Sequence, residues 1–343
     1  MKIQGRNRGG VFVACLAAGA LVLTACGSKD DAGTGGGDGD GGGDTGNSEG
    51  AGLLEELQEQ GTITVAFAGE QPYSWEDDNG ELTGATIALD REIYKALGID
   101  TVEGQYVDWN ALIPGLNKGE YDSVSAGMSI LPDRCAQASF SKPTLMYTTG
   151  LMVPEGNPMG LTDLQSIVDA DALVAVQSAT IEQGYLEDDM GYGNTMSVAS
   201  SLDGMEAVAS GQADAFALTA ISLRTMAENN PDQPVEVTEA FTAEIDGVPQ
   251  ISAGATVFRN EDNDLREAYN AELEKIVNDP ERFEEIVGEF GFSDAERPAE
   301  GLTVEMFCDG SDESLTEAND IQNAKGSGED SDSGDDAGAT SED

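Results

Sequence analysis

The segment Gly127-Met-Ser-Ile-Leu-Pro-Asp-Arg-Cys135 holds one arginine, Arg134, between a proline turn and a cysteine, just after a strand-like run. Cations are scarce in this chain, which has 66 acidic and 16 basic residues and a formal net charge of −50. Two roles fit an arginine so placed: pairing with a carboxylate of the chain, or receiving an anion from outside it. A guanidinium fork matches a carboxylate bidentately and is never deprotonated, so arginine and lysine are not equivalent here. The same charge balance excludes nucleic acid as a partner, because phosphate binding needs clustered Lys and Arg. No histidine is present. No zinc site, other metal or cofactor is therefore expected. A solvated acidic surface, suited to a salt-rich habitat, accounts for the charge.

The N-terminal residues are specific. Lys2, Arg6 and Arg8 form a basic stretch, Val11 to Leu23 an apolar one, and "LTACGS" follows at 23–28. An apolar run this short reads as a signal peptide rather than a membrane span. Its "LTAC" end resembles the lipobox of bacterial lipoproteins, which implies cleavage after residue 25 and a diacylglycerol on Cys26. An ordinary secreted protein with a chance Cys26 is the alternative. Residues 26–50 then form the lipidated cysteine and a Gly/Asp-rich tether, spanning roughly 25–30 Å in the flexible-linker regime. The expected location is extracytoplasmic, on the outer face of the cell membrane. Cys15 falls within the signal, leaving Cys135 and Cys308 in an oxidising compartment where a disulfide is the default. Residues 309–343 carry acidic runs and little that is apolar, and are expected to be disordered.

Between these ends, strand and helix signals alternate. "TITVAF" (62–67) has a strand's period. Residues 83–98 place Leu89, Ile93 and Leu97 on one helical face before Gly98. Asp108 is placed to cap a second helix over 108–119. "YDSVSAGM" (121–128) and "LVAVQSAT" (173–180) read as strands, the latter followed by a helix "TIEQGYLEDD". Residues 201–219 give a helix, a glycine turn and a strand. Strands alternating with helices argue for parallel sheets in an α/β fold.

The pieces "GTITVAF", "LTGATIALDREI", residues 107–143 and "GQADAFA" resemble the extracellular solute-binding proteins of ABC importers, in the polar-amino-acid-type family. The resemblance implies a two-lobe periplasmic-binding-protein-like fold with two crossover strands and a central ligand cleft. Lobe one would be 51–150 plus 254–308, and lobe two 151–253. It places Arg134 on the ligand carboxylate from lobe one, beside Gly127 and Ser129 of the same motif. It sets Thr180 at a helix start in lobe two, and Tyr73 and Trp109 at cleft positions. Relatives that bind α-amino acids carry an acid where this chain has Thr219. Aromatic faces attract a diffuse cation, and Glu70 in "AGEQPY" can accept from a ring N–H. Together these features resemble the ectoine/hydroxyectoine-binding members, which implies a small zwitterionic solute. Ser129 departs from them, standing where they often carry an aromatic residue, and points to a polar amino acid as the alternative. The implied partners are ABC permease subunits, the membrane through the lipid anchor, and no second copy. Two rivals are a cyclohexadienyl-dehydratase-like enzyme with Glu70 as general acid, which lacks a partner base, and a ligand-sensing lipoprotein.

Overall fold

A computed structural model describes residues 52–325. The expected signal peptide, the lipidation expected at Cys26 and the expected tether lie outside the described residues, as does 326–343. The described residues contain two large sheets and two small two-stranded ones. In the first, Thr62–Phe67 runs parallel to Thr101–Tyr106 and to Ser123–Ser129, and Ser252–Phe258 lies antiparallel to Ser123–Ser129. In the second, Val174–Gln177 is parallel to Thr195–Val198 and Ala215–Thr219, with Thr149–Pro154 antiparallel to the latter.

The strands follow from their period of two. Ile63 and Val65 face one core of the first lobe while Ala66 faces the other. In the second lobe Val174, Val176, Ala215 and Ala217 share one core, and Ala175, Phe216 and Leu218 the opposite one. Both faces of each sheet are therefore buried, as parallel sheets require. Helix Ala85–Ala96 buries Ile87, Leu89 and Ile93 against the first sheet, and Gly98 beyond it has a left-handed backbone.

The chain leaves the first sheet along Leu145–Tyr147 and enters the second at Thr149. It returns along Ser252–Gly254, which pairs antiparallel with Leu145–Tyr147. The two crossing segments thus run side by side. Paired segments that join two separate cores are the geometry of a hinge.

Three local readings change. Asp108 makes no side-chain cap; it precedes a short 3₁₀ turn, Trp109–Ala111, and then helix Leu112–Leu116. After Thr180 the α-helix lasts only from Ile181 to Gln183 before widening into a π-turn over Gly184–Asp189. The third concerns the tail: Asp312–Lys325, within the stretch expected to be disordered, is a helix. Leu315, Ala318 and Ile321, three residues apart, lay a small apolar stripe on the first lobe's core. Gln322 accepts from the Ala299 N–H (2.8 Å) and donates to the Arg297 carbonyl (3.0 Å). The low mean hydropathy of the segment conceals that stripe. Just before it, Cys308 pairs with Cys135 at a Cα–Cα distance of 5.7 Å.

Candidate functional site

Arg134 stands in the short helix Pro132–Cys135, which turns the chain back after strand Ser123–Ser129. Pro132 starts that helix, where a missing N–H costs nothing. The turn aims the guanidinium into the cleft between the lobes. There Nη1 donates to the Ser129 carbonyl and Nη2 to the Ala179 carbonyl of the second lobe, each at 2.8 Å. Trp109 Nε1 donates to the same Ala179 oxygen at 3.2 Å, and its ring lies 5.6 Å from Arg134 Cζ. Ala179 holds a φ of +62°, a left-handed conformation costly for a residue with a Cβ. None of the ion pairs among the described residues involves Arg134. Burial lowers its pKa to about 10, while the charges of Glu182, Tyr185 and Tyr147 act in the opposite sense, so it stays protonated at neutral pH.

A second set of groups crosses the cleft as one relay. The Tyr73 hydroxyl donates to Thr219 Oγ1 (3.2 Å), the Thr219 and Ser222 hydroxyls are 2.9 Å apart, and Ser222 donates to Glu70 Oε1 (2.7 Å). Tyr73 and Glu70 belong to the first lobe, Thr219 and Ser222 to the second. Burial pushes the Glu70 carboxyl up to about 7, against the lowering effect of Ser222. The Tyr73 ring is itself core, packed edge-on to Tyr147 at 5.4 Å and against Phe292 at 5.7 Å. Gly127 has a φ of +62°, and a Cβ there would come within 2.7 Å of Tyr73 Cδ1. Only glycine lets the strand pass these two rings. Tyr147 closes the corner by donating to the Gly127 carbonyl at 2.9 Å.

Ser129 is buried and accepts from Ser252 Oγ at 3.3 Å. The Thr180 hydroxyl turns back to donate to the Gln177 carbonyl at 2.9 Å. All eight residues singled out from the sequence, Glu70, Tyr73, Trp109, Gly127, Ser129, Arg134, Thr180 and Thr219, line one small cavity of about 30 Å³. That is room for about two or three water molecules with the lobes as they stand. Larger hollows of about 740 and 520 Å³ open along the cleft rim, but neither is lined by a Lys or Arg. The small cavity is lined by the Arg134 guanidinium together with Glu70. Tyr147 and Glu182 also line it, and neither stood out in the sequence. Among the described residues no group of three or more His, Cys, Asp or Glu is arranged to hold a metal ion.

Residues 63–292 match the bacterial extracellular solute-binding proteins, family 3. The chain belongs to this family. A probable amino-acid ABC transporter periplasmic-binding protein of Sinorhizobium fredii is 33% identical to this solute-binding protein over 248 residues, 71% of this chain and 81% of the relative. Among solved structures, EhuB in complex with hydroxyectoine is similar, with a TM-score of 0.65 and 31% identity over 75% of this chain and 97% of that one. An ancestral arginine-binding protein bound to arginine gives 0.58 and 25%, over 67% and 98%. The two-lobe solute-binding fold accounts for the paired sheets, and these three relatives are binding proteins.

Proposed function

We propose that this solute-binding protein serves an ABC importer by capturing a small zwitterion, ectoine or hydroxyectoine, between its lobes. The observation that carries the reading is Arg134: a half-buried guanidinium with no carboxylate paired to it among the described residues, in a cavity walled by both lobes. Of its five N–H donors, two are held by carbonyls, which leaves donors for an incoming carboxylate. Around it stand Glu70, Tyr73, Trp109 and Tyr147, a carboxylate and three rings suited to a delocalised cation that carries N–H groups. Thr219 supplies a hydroxyl where an α-ammonium would need an acid. Similarity to the hydroxyectoine-bound EhuB supports the same class of ligand.

Because Arg134, Tyr73 and Trp109 face Ala179 and Thr219 across the cleft, a ligand that bridges them favours the closed lobes. Differential contact of this kind shifts the population toward the closed form, which the permease would recognise. The proposal includes a lipid anchor at Cys26 and a disulfide between Cys135 and Cys308.

A polar amino acid is the second reading, favoured by Ser129 and by the similarity to an arginine-bound structure. A thermal-shift panel of ectoine, hydroxyectoine, glycine betaine, proline and polar amino acids separates them. Ligand at one hundred times its dissociation constant adds about 2.7 kcal/mol of stability. Ectoine or hydroxyectoine is expected to give the largest rise in Tm; a larger rise with an amino acid overturns the first reading in favour of the second.

A further inference from the structure

The family's lobe-two acid is missing at Thr219, yet the second lobe does place a carboxylate in the cavity. Glu182, in helix Ile181–Gln183, lines the same space as Arg134 and Glu70 and is only 1% exposed. Its Oε1 has no hydrogen-bond partner among the described residues. Burial pushes its carboxyl up to about 7, against the lowering effect of its own backbone N–H, of Thr180 and of the Arg134 charge. A buried carboxylate oxygen without a donor is costly, and structures keep such groups where a ligand or mechanism uses them. A role as a plain helix cap fits poorly, because Glu182 lies inside the helical segment, whose N-cap position is Thr180. An ion pair with Arg134 fits no better, since none includes that arginine.

We infer that Glu182 is the second lobe's contact for the ligand's cation, working opposite Glu70 of the first lobe. The inference rests on the proposed zwitterion reading and adds a substrate class to it. The charged groups lining the cavity are one guanidinium and two carboxylates. One ligand carboxylate answers Arg134, and two acids call for a cation with N–H groups directed to both sides, as in an amidinium or guanidinium. A quaternary ammonium betaine offers no N–H to either acid. It is rejected because its entry would leave Glu182 Oε1 buried and unpartnered.

The test compares wild type with Glu182→Gln by calorimetry, using hydroxyectoine, L-arginine and glycine betaine as probes, and by thermal unfolding without ligand. Loss of a charge-assisted hydrogen bond is expected to weaken the probe that wild type binds best by about ten- to a hundred-fold. The ligand-free variant is expected to unfold at the same Tm or higher, because the substitution removes a buried carboxylate whose Oε1 has no donor. Unchanged affinity overturns the inference. So does a Tm lowered by several degrees, which would make Glu182 a structural cap. Wild type binding glycine betaine more tightly than hydroxyectoine and L-arginine also overturns it. Wild-type protein that ignores all three probes overturns the zwitterion reading instead, and the ligand-free Tm then decides Glu182: a rise supports a functional carboxylate, a fall rejects it.

Discussion

Arg134 of the first lobe donates through Nη2 to the Ala179 carbonyl of the second at 2.8 Å. The cation that lines the cavity is thus also a fastener between the lobes, and Trp109 shares the same acceptor. In the proposed site, ligand capture and lobe closure run through the same few atoms.

That sharing makes Trp109 a sharp probe of the ligand's class. Its ring supports the Arg134 guanidinium, and the ring plane borders the cavity. Trp109→Ala is expected to cost on the order of 2 kcal/mol in affinity for a delocalised cation. Trp109→Phe, which keeps a ring but loses the N–H to Ala179, should recover part of that loss. Calorimetry of these variants beside Ser129→Ala decides the matter. A larger loss at Ser129 than at Trp109 would mean a localised ammonium and an amino-acid ligand.

Asp90 lies fully buried in the first lobe, where Tyr269 donates to its Oδ1 at 2.7 Å. Burial raises its carboxyl to about 6 from an ordinary 3.8, with the hydrogen bonds acting in the opposite sense. The folded state holds this proton more tightly than the unfolded chain, so its contribution to stability falls as pH rises toward 6 and is flat beyond. Asp90→Asn removes that dependence while keeping an acceptor for Tyr269. The Tm advantage of the variant over wild type is expected to grow between about pH 5 and pH 6 and then level off. An advantage that shrinks over that interval would contradict the assignment.

Cys135 and Cys308 close a loop across 173 residues of sequence and fix the end of the folded body beside the Arg134 turn. In the chain-entropy model a loop this long contributes up to roughly 4–5 kcal/mol. Thiol titration of the denatured, unreduced mature protein should find no free thiol from this pair, and Cys308→Ser should lower the Tm. Two titratable thiols would show that the bond does not form in the protein.

Anchoring is separable from binding. Among the described residues no helix is long and apolar enough to cross a membrane. Cys26→Ser is therefore expected to move the protein from the membrane to the soluble fraction without changing ligand affinity. Continued membrane partition of that variant in detergent-free fractionation would rule out the lipid anchor.

The sequence displayed the strands and the arginine turn plainly, because period-two burial and the "PDRC" turn are local signals. Tyr73 and Gly127 were legible through their motif, although their mutual dependence is spatial: the glycine is there because a Cβ would strike the Tyr73 ring. Glu182 was not legible. One glutamate among 66 acidic residues carries no mark of burial, and its place beside Arg134 arises only when two lobes meet. Helix Asp312–Lys325 was hidden for a different reason: its contacting stripe is one leucine, one alanine and one isoleucine in an acidic segment, below what composition can register.

The most direct test of the zwitterion site is a calorimetric titration of hydroxyectoine into wild-type protein and into Arg134→Ala, with circular dichroism to verify that both are folded. Wild type is expected to bind. The variant is expected to lose about 2–5 kcal/mol of affinity, because the ligand carboxylate is then buried without its charged partner. Equal affinity in the two folded proteins would contradict the account, placing the ligand somewhere other than the cavity that Arg134 lines.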